Sequence, residues 1–464
     1  MREAYGPGRK LWPRRNRMAR VARETGDRMT SQDPLVAAAT RIAAHLGKVL
    51  DVPAAIKLWD GTIVPLGKGD HGGRLISIAG PGALGTLVRK PSLDTVFRLY
   101  VTGDIAYEGT NLIELMDLLR QRLARRKIDL ADLRKGLPLG AVLRFLPVRA
   151  DAGVKHAYQG DEVASGGAAR DNKAFVQFHY DVSNDFYALF LDREMVYSCA
   201  YFTDWSNGID QAQRDKLDLI CRKLRLKPGE SFLDIGCGWG ALLCHAAANY
   251  GVKAYGVTLS QAQFDFATAK VKRLGLEDRV TIELKDYNLV EGTFDKIASV
   301  GMYEHVGTAH YDVYFRKMRK LLAPEGIFLN HGITRRAVNK VRRRPSQSNR
   351  IILRYIFPGS ELDDIGHTVQ SMERNGFEVH DVENLRLHYG RTCNIWHDRL
   401  VARETEAVAL VGRERYRMWI AYLAGVTGGF ERTPLRIYQT VATRPLTREE
   451  TPIPPTRADL YAPR

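Results

Sequence analysis

A carboxylate and an imidazole stand side by side in the stretch "GMYEHVG", as Glu304 and His305. Such a pair could ligate a metal, act as a general base with its partner, or simply pack at a corner of the fold. Adjacent residues on a helix point in different directions, so the two side chains need not serve one site. The elements that position the pair therefore have to decide between these interpretations.

Apolar runs of strand and helix length alternate along the chain from Lys227. They are "SFLDIG", "ALLCHAAANYG", "VKAYGVT", "SQAQFDFATAKVKRLGL", "RVTIELKDY", "FDKIASVGM", "YDVYFRKMRKLLAPEG" and "IFLNHGI". This alternation predicts an α/β fold with a doubly wound parallel sheet and helices on both faces. Ligands of such sheets bind at the carboxyl ends of the strands, and "GMYEHVG" begins where one predicted strand ends. Its position favours a functional role over corner packing.

A glycine-rich loop, "FLDIGCGWG", follows the first of these strands. Gly236, Gly238 and Gly240 allow a tight turn and close approach of the backbone to a ligand. Asp234 stands just before the loop, where its carboxylate could face a cationic ligand. The second strand ends in "VTLSQ", without the acidic residue that usually binds the ribose of NAD. The loop therefore favours a sulfonium cofactor such as S-adenosylmethionine, with an NAD-dependent oxidoreductase as the alternative.

The charge of the chain points to an acidic partner. The formal net charge is +16, whereas the hydrophobic fraction of 45% and the charged fraction of 26% are ordinary for a globular protein. The five cysteines form no CxxC pair and show no zinc spacing, so no metal site is predicted, and their odd number fits a reducing compartment. No apolar run reaches transmembrane length, and the N-terminus lacks the apolar region of a secretory signal.

One basic cluster lies beside an apolar run. Arg342, Arg343, Arg344 and Arg350 precede or flank "IILRYIF". Cations for phosphate beside apolar and aromatic side chains are what contact with a membrane surface needs. Nucleic acid would attract the same charge, but the apolar run favours lipid. We therefore expect a phospholipid bilayer, and not nucleic acid, as the partner.

Changes of composition divide the chain into segments. The expected organisation is a basic, disordered tail (1–33), an N-terminal domain (34–150), a linker (151–173), the sheet domain (174–445) with a lid insertion (335–375), and a C-terminal tail (446–464). The N-terminal domain mixes amphipathic helices with short strands and carries no catalytic motif. It could hold lipid, or it could be a structural or dimerisation domain.

Several motifs, taken together and in order, resemble a known family. They are "HYDVSNDFYALFLDREMVYSCAYF", "LKPGESFLDIGCGWGALL", "GVTLSQAQ", "FDKIASVGMYEHVG", "YDVYFRKMRKLLAPEGIFLNHGI" and "RYIFPGSEL". Over residues 178–444 the chain is similar to the cyclopropane-fatty-acyl-phospholipid synthases, to which mycolic-acid cyclopropane synthases are related. The resemblance implies a class I methyltransferase, Rossmann-like fold with a smaller N-terminal α+β lipid-associated domain. It also implies a homodimer that is cytoplasmic and peripherally associated with the inner face of the membrane.

The resemblance implies a reaction at a cis double bond. Members of the family transfer a methylene from S-adenosylmethionine to an unsaturated phospholipid acyl chain, through a carbocation that a bound bicarbonate deprotonates. Methylation that leaves a methylene or methyl branch is an alternative outcome, since one cation serves both. A non-catalytic lipid- or nucleic-acid-binding protein is the alternative from another class.

The resemblance also assigns site residues. Those expected at the cofactor, together with Asp234 and the three glycines, are Tyr197, Ser198, Thr258, Gln263, Asp286 and Tyr287. Those expected to hold bicarbonate are Cys199, Glu304, His331, Ile333 and Tyr389, and all of these except Ile333 are expected to be catalytic. Each also has an ordinary structural interpretation: a buried cysteine, a satisfied histidine, a core isoleucine, a strand tyrosine.

Charge balance constrains the expected bicarbonate site. Glu304 and bicarbonate would repel each other if both were fully ionised, so either a proton lies between them or His331 offsets the charge. We expect Glu304 to accept a hydrogen bond from the hydroxyl of bicarbonate. His305 is then interpreted as structural. Many members carry a cysteine in the segment matching "YLAGVTGGF", where this chain has Val426, so no covalent cysteine mechanism is predicted there.

Overall fold

The structure is a computed structural model. It describes residues 33–126, 130–149, 183–337, 350–351, 355–356, 360–432, 434–446 and 451–461. The predicted tail apart from Asp33, the predicted linker, and Arg342, Arg343 and Arg344 lie outside the described residues. Arg350 is described and exposed.

The N-terminal unit builds a small sheet against helices. Its elements are α1 (Pro34–Leu50), β1 (Ala55–Lys57), β2 (Ile63–Pro65), β3 (Leu75–Ile78), α2 (Pro81–Arg89), α3 (Leu93–Thr102), β4 (Ile105–Glu108), α4 (Leu112–Arg126), α5 (Leu130–Arg134) and α6 (Leu139–Leu143). The strand order is β2-β1-β3-β4, with only the β1–β3 pair parallel. Helix α1 begins after Asp33, whose side chain accepts a hydrogen bond from the Leu35 amide and so satisfies a free N–H group. Pro34 suits the first position of the helix because it has no N–H group to satisfy.

The second unit contains a large, mostly parallel sheet. Its elements are α7 (Asn184–Ala188), α8 (Ile209–Lys223), β5 (Ser231–Ile235), α9 (Ala241–Tyr250), β6 (Lys253–Thr258), α10 (Gln261–Arg273), β7 (Val280–Leu284), β8 (Phe294–Val300), α11 (Tyr311–Leu321), β9 (Leu322–Arg335), α12 (Ile365–Arg374), β10 (Glu378–Asn384), α13 (Arg386–Ala402), α14 (Glu404–Val411), α15 (Arg413–Glu431), β11 (Leu435–Thr443) and α16 (Ala458–Tyr461). The order is β10-β11-β9-β8-β5-β6-β7.

The predicted fold class is confirmed, with one refinement. Strands β5 to β9 pair in parallel, as the alternating pattern predicts, whereas β11 lies antiparallel between β9 and β10. The chain runs outward from β5 through β6 to β7 and then crosses to β8 on the other side of β5. The strand order therefore reverses at β5 and β8, where a doubly wound sheet opens a crevice for ligand.

The region predicted as a lid contains a helix of the sheet domain. Helix α12 lies inside the range 335–375 and buries Met372 in the core that α11 also contributes to. The hydroxyl groups of Thr368 and Tyr303 are 2.6 Å apart, which ties α12 to the turn after β8. The alternation of strands and helices therefore resumes before the predicted lid ends.

Part of the apolar run "IILRYIF" is buried, which corrects the expectation that it faces lipid. Tyr355 and Ile356 are 1% and 2% exposed. The Tyr355 ring lies 5.0 Å from the ring of Phe97 in α3, and its hydroxyl donates to Asp94 Oδ1 at 3.1 Å. These residues join the two units, and α3 and α4 also pack against α15.

The C-terminal segment is attached to the sheet domain over residues 451–461. Leu460 is buried, and its carbonyl accepts a hydrogen bond from Arg222 at 3.3 Å. Asp459 pairs with Arg225 at 2.9 Å. Within the described part of the chain, no helix combines the length and the apolar character needed to cross a bilayer.

Candidate active site

A cleft with about 1150 Å³ of empty space, open to solvent, lies at the carboxyl ends of β5, β6 and β8. The glycine loop after β5 forms one wall. Gly236, Gly238 and Gly240 have φ angles of 78°, 54° and 78°, a region that side-chain-bearing residues rarely adopt. A Cβ on Gly236 would lie 3.1 Å from the Cβ of Met302, which follows β8. Glycine is therefore needed where the two strand ends meet.

All but one of the residues predicted at the cofactor line this cleft. The lining set comprises Tyr197, Ser198, Asp234, Gly236, Gly238, Thr258, Gln263, Asp286 and Tyr287. Gly240 is the exception: it stands at the N-terminus of α9, and a Cβ there would meet the Cβ of Ala267 at 3.1 Å. Gly240 therefore packs closely against α10 and does not line the cleft.

Short hydrogen bonds fix the far side of the cleft. Thr258, the last residue of β6, donates from Oγ1 to Gln263 Oε1 at 2.8 Å. Ser260 caps α10 by accepting from the Gln263 amide, which places this side chain at the start of the helix. Asp286 caps the short turn that begins at Tyr287. The end of β6 and the segment after β7 thus present polar groups in a fixed arrangement.

A second group of predicted residues gathers beside the cleft, around Glu304. Glu304 lies in a 3₁₀ turn after β8, is 5% exposed, and accepts a hydrogen bond of 2.6 Å from the Ile333 amide. His331 and Ile333 are two residues apart on β9, so their side chains share one face of the strand. His331 Nδ1 is 3.1 Å from Gln439 Nε2 on the paired strand β11. An amide donor at Nδ1 leaves the proton of a neutral ring on Nε2.

Two buried polar atoms in this group have no hydrogen-bond partner among the described residues. They are Glu304 Oε2 and His331 Nε2. Buried polar atoms are rarely left unsatisfied, because desolvation without a hydrogen bond costs about 1–3 kcal/mol. Each of the two atoms could therefore form one further hydrogen bond, to a ligand or to water.

Cys199 and Tyr389 belong to one aromatic cluster, against which Ile333 packs. Tyr389 lies in helix α13, so its interpretation as a strand tyrosine is wrong. Its ring is 4.6 Å from that of Phe430 and 6.0 Å from that of Trp396. The cluster continues through Trp396 to Tyr197 of the cleft, with 5.2 Å between ring centroids. Hydrogen bonding, packing and electrostatic interaction thus link Glu304, Ile333, Cys199 and Tyr389, and His331 lies two residues before Ile333 on β9.

Burial controls the protonation of these groups. It raises the pKa of Glu304 to about 7, although the Ile333 amide opposes the rise. It lowers the pKa of His331 well below the ordinary histidine value, and the cations of Lys216 and Lys223 act in the same direction. It raises the pKa of Tyr389 and of Cys199, so that both remain protonated at neutral pH. His331 is therefore neutral, and it does not supply the positive charge considered from sequence.

Three residues at or near the site were missed or assigned otherwise from sequence. Lys216 lines the cleft from α8, and His305, interpreted as structural, lines it as well. Gln439 lies opposite His331 because β11 pairs with β9. Lys216 stands four residues after Ala212 on an amphipathic helix, so the two residues share the buried face. This spacing could have predicted from sequence that the lysine points into the protein. Over the described residues, no group of three His, Cys, Asp or Glu side chains could hold a metal ion.

Comparisons with known proteins place the chain in a family. The mycolic acid cyclopropane synthetase family matches residues 168–440. A probable fatty acid methyltransferase of Pseudomonas putida is 36% identical over 418 residues, covering 89% of this chain and 97% of that protein. The chain belongs to the mycolic acid cyclopropane synthetase family.

Two further relatives bear on the reaction and the cofactor. The cyclopropane-fatty-acyl-phospholipid synthase of Escherichia coli K12 is 40% identical over 266 residues, covering 57% of this chain and 66% of the synthase. The structure of the mycolic acid cyclopropane synthase CmaA1 complexed with SAH and CTAB has a TM-score of 0.57 at 34% identity, covering 60% of this chain and 99% of CmaA1. As a member of this family, the chain is an S-adenosylmethionine-dependent methyltransferase.

Proposed function

We propose that this methyltransferase forms a cyclopropane ring across the cis double bond of an unsaturated phospholipid acyl chain. The observation that carries the proposal is that two buried atoms, Glu304 Oε2 on the turn after β8 and His331 Nε2 on β9, have no hydrogen-bond partner among the described residues. The similarity to the Escherichia coli synthase supports the choice of a phospholipid substrate.

The reaction places specific demands on the site. It breaks the π bond of the alkene, one C–S bond and one methyl C–H bond, forms two C–C bonds at the alkene carbons, and releases S-adenosylhomocysteine and one proton. Bound S-adenosylmethionine supplies the electrophilic methyl group, and a bound bicarbonate would supply a small base. The chain must therefore align the alkene, exclude water from a cationic centre and hold the base. Aromatic faces such as those of Tyr197, Trp396 and Tyr389 suit a cationic centre.

The residues around Glu304 fit a small oxyanion. The Nε2–H of His331 and the protonated hydroxyl of Tyr389 would donate hydrogen bonds to bicarbonate oxygens. Because His331 is neutral, the charge balance requires that a proton lie between Glu304 and the anion. With a pKa of about 7, Glu304 can share that proton near neutral pH.

The first experiment tests the product and the role of Glu304. Purified protein is incubated with vesicles of unsaturated phospholipid and methyl-labelled S-adenosylmethionine, and the acyl chains are analysed by mass spectrometry. We expect a saturated product heavier by one CH₂, and we expect Glu304→Gln to lower turnover by about a hundredfold or more. Binding of S-adenosylhomocysteine should remain nearly intact.

Glu325→Gln is the matched control, because Glu325 is an exposed carboxylate near the start of β9. It should leave turnover unchanged. Absence of label from the lipid fraction of the unchanged protein would rule out the proposed function. Full turnover by Glu304→Gln would remove Glu304 from the catalytic set.

A second product is favoured by one observation. The relative from Pseudomonas putida, which this chain covers almost completely, is named a probable fatty acid methyltransferase. In the same alkylated chain, a hydride shift from the methyl-bearing carbon to the cationic carbon, followed by loss of a methyl proton, would leave a methylene branch. Later reduction of that double bond by a separate hydride donor would leave a methyl branch. Gas chromatography of the product esters separates these from the cyclopropane.

The proposed partner is an anionic bilayer, contacted through the N-terminal unit. Leu139, Leu143 and Leu146, here called the leucine patch, follow helical spacing and are 71%, 58% and 45% exposed. Ala141 and Phe145, between them in sequence, are buried and anchor the segment. Exposed cations close to the patch in sequence are Arg134, Lys135, Arg144 and Arg149. Apolar side chains beside cations suit the boundary between headgroups and acyl chains.

The expected homodimer stays a prediction.

A further inference from the structure

A buried lysine in the cofactor cleft has no ion-pair partner among the residues that the structure describes. Lys216 is 2% exposed, lines the cleft, and donates from Nζ to Ser198 Oγ at 3.0 Å. Among the described residues, no carboxylate oxygen lies within 4.0 Å of this ammonium group. A buried cation is costly unless it is paired, because it loses its hydration.

The other buried lysines of the described chain are all paired. Lys223 contacts Glu383 at 2.5 Å, Lys270 contacts Glu194, and Lys296 lies 3.7 Å from Glu230. Lys216 is thus exceptional among four buried lysines. An anion that completes its environment could enter from the cleft, since Lys216 lines that space.

A complementary negative group lies on the same wall. Asp234 is 2% exposed at the carboxyl end of β5, and its Oδ1 has no hydrogen-bond partner among the described residues. Burial raises the pKa of Asp234 to about 7 against the effect of the Lys216 cation. Burial likewise lowers the pKa of Lys216 to about 8, while Asp192 and other neighbouring groups oppose the change. The carboxylate and the ammonium interact electrostatically, yet they are too far apart to form an ion pair. A ligand carrying both charges could satisfy each of them.

The position of the two groups indicates which part of the cofactor they meet. Asp234 is on β5, which pairs with β8, the strand before the turn that carries Glu304. On the far side, Thr258 ends β6 and Asp286 follows β7. A ligand extending along the cleft therefore has one end near β5 and β8 and the other near β7. The methionine part of S-adenosylmethionine is a zwitterion, while the adenosine part is uncharged at neutral pH.

We propose that Lys216 binds the α-carboxylate of the methionine part of the cofactor, with Ser198 Oγ beside it and Asp234 facing the α-ammonium. This inference rests on the cofactor of the proposed function and not on its lipid product. Lys216 then fixes the end of the cofactor nearest the reacting centre, so that the sulfonium is held at a set distance from Glu304. The alternative is a purely structural role, in which Lys216 only offsets the charges of Asp192 and Asp234.

A pair of ligands separates the two roles. S-adenosylhomocysteine carries the α-carboxylate, and its decarboxylated analogue keeps the adenosine, the sulfur and the amine but lacks that group. Calorimetric titration of the full chain should show weaker binding of the analogue by about ten- to a hundredfold, the usual effect of losing a hydrogen bond to a charged group. Equal affinities in the unchanged protein would overturn the proposal without any variant.

The variants sharpen the test. Lys216→Met should weaken binding of S-adenosylhomocysteine by about ten- to a hundredfold while changing binding of the analogue by less than about threefold. Lys216→Arg, which keeps the charge, should retain most of the affinity. Lys253→Met, an exposed lysine at the start of β6, is the control and should change neither ligand. Equal losses for both ligands with Lys216→Met would indicate the structural role and overturn the inference.

Failure of this inference and failure of the proposed function are distinguishable. Carboxylate-dependent binding with no labelled lipid product would support Lys216 as assigned and refute cyclopropanation. Formation of the cyclopropane product together with equal affinities for S-adenosylhomocysteine and its decarboxylated analogue would support cyclopropanation and refute the role assigned to Lys216.

Discussion

Glu304 combines deep burial with a single hydrogen bond, and this makes its charge sensitive to pH. The Ile333 amide satisfies Oε1, but Oε2 has no partner among the described residues. The carboxylate form is therefore poorly stabilised, which is the reason that its pKa rises to about 7. Because His331 is neutral, it supplies no positive charge that would stabilise the carboxylate form of Glu304.

The free energy of unfolding should depend on pH in a way that reflects the pKa of Glu304. Because folding raises the pKa of Glu304, the folded state holds the proton more tightly than the unfolded state. The contribution of Glu304 protonation to the free energy of unfolding is full below pH 4.5 and is lost as the pH rises to about 7. Glu304→Gln keeps an acceptor for Ile333 but has no charge to bury. The variant should therefore gain stability relative to the unchanged protein between pH 5 and pH 8, by at most about 3 kcal/mol.

Urea unfolding of both proteins at pH 5 and pH 8 measures this difference, since the other titrating groups are common to both. The exposed-site variant Glu325→Gln serves as the control. A stability difference between Glu304→Gln and the unchanged protein that does not depend on pH would contradict the assigned environment of Glu304.

At the scale of elements, the site depends on how closely the turn after β8 approaches β9. Gly332 lies between His331 and Ile333, and a Cβ there would be 2.5 Å from Cδ1 of the Tyr303 ring. Tyr303 is itself held by the 2.6 Å contact with Thr368 of α12. The absence of a side chain at Gly332 thus allows the turn to bring Glu304 within hydrogen-bond distance of Ile333.

Gly332→Ala should push this turn away from β9. We expect a loss of about 1–3 kcal/mol in the free energy of unfolding from overpacking. We also expect lower turnover, because Glu304 would no longer be held against β9. Gly140→Ala is the matched control: Gly140 lies in α6 with no atom near the added methyl group, so stability should be unchanged or slightly higher. Thermal unfolding and the labelled-lipid assay measure both effects, and an unaffected Gly332→Ala protein would refute the close approach.

At the scale of the whole molecule, the two units meet through the helices that flank the aromatic cluster. Helices α3 and α4 pack on α15, Arg432 pairs with Asp117, and Tyr355 is seated on α3. The N-terminal unit therefore supports residues that enclose the site, while its leucine patch is exposed. This arrangement is suited to an enzyme whose substrate lies in a bilayer.

Binding to vesicles tests the leucine patch. Simultaneous substitution of Leu139, Leu143 and Leu146 by serine should weaken binding to anionic phospholipid vesicles by at least about tenfold, because burying each leucine contributes about 1.5–3 kcal/mol. Higher salt should weaken the remaining binding. Sedimentation with vesicles measures both, and duplex DNA in place of vesicles should give no comparable binding.

The matched control is the triple serine variant at Leu274, Leu284 and Leu289, which are similarly exposed on the sheet domain. It should bind vesicles normally, and both triple variants should bind S-adenosylhomocysteine normally. Loss of vesicle binding in the control alone would place the membrane contact on the sheet domain instead.

Much of the fold follows from local features of the sequence. Apolar runs with period two or 3.6, ended by glycine, locate β5 to β9 and the helices between them, because backbone preferences and amphipathic faces are local properties. The glycine loop with Asp234 also predicts a ligand site at the end of β5, since the required φ angles depend on residue type. The motifs in order indicate the family and the residues gathered around Glu304.

Contacts between distant parts of the chain required the tertiary structure. Gln439 becomes the partner of His331 only because β11 inserts antiparallel beside β9, over a separation of 108 residues. Tyr355 and Ile356, which suggest a membrane surface by composition, are both buried in the core, and Tyr355 packs against Phe97 of α3. That Lys216 has no ion-pair partner among the described residues depends on which carboxylates the fold brings near it. The sequence by itself determined the elements and the identity of the chemical groups, whereas burial and pairing, which set their charge and hydrogen bonding, were decided by the packing of segments far apart in the chain.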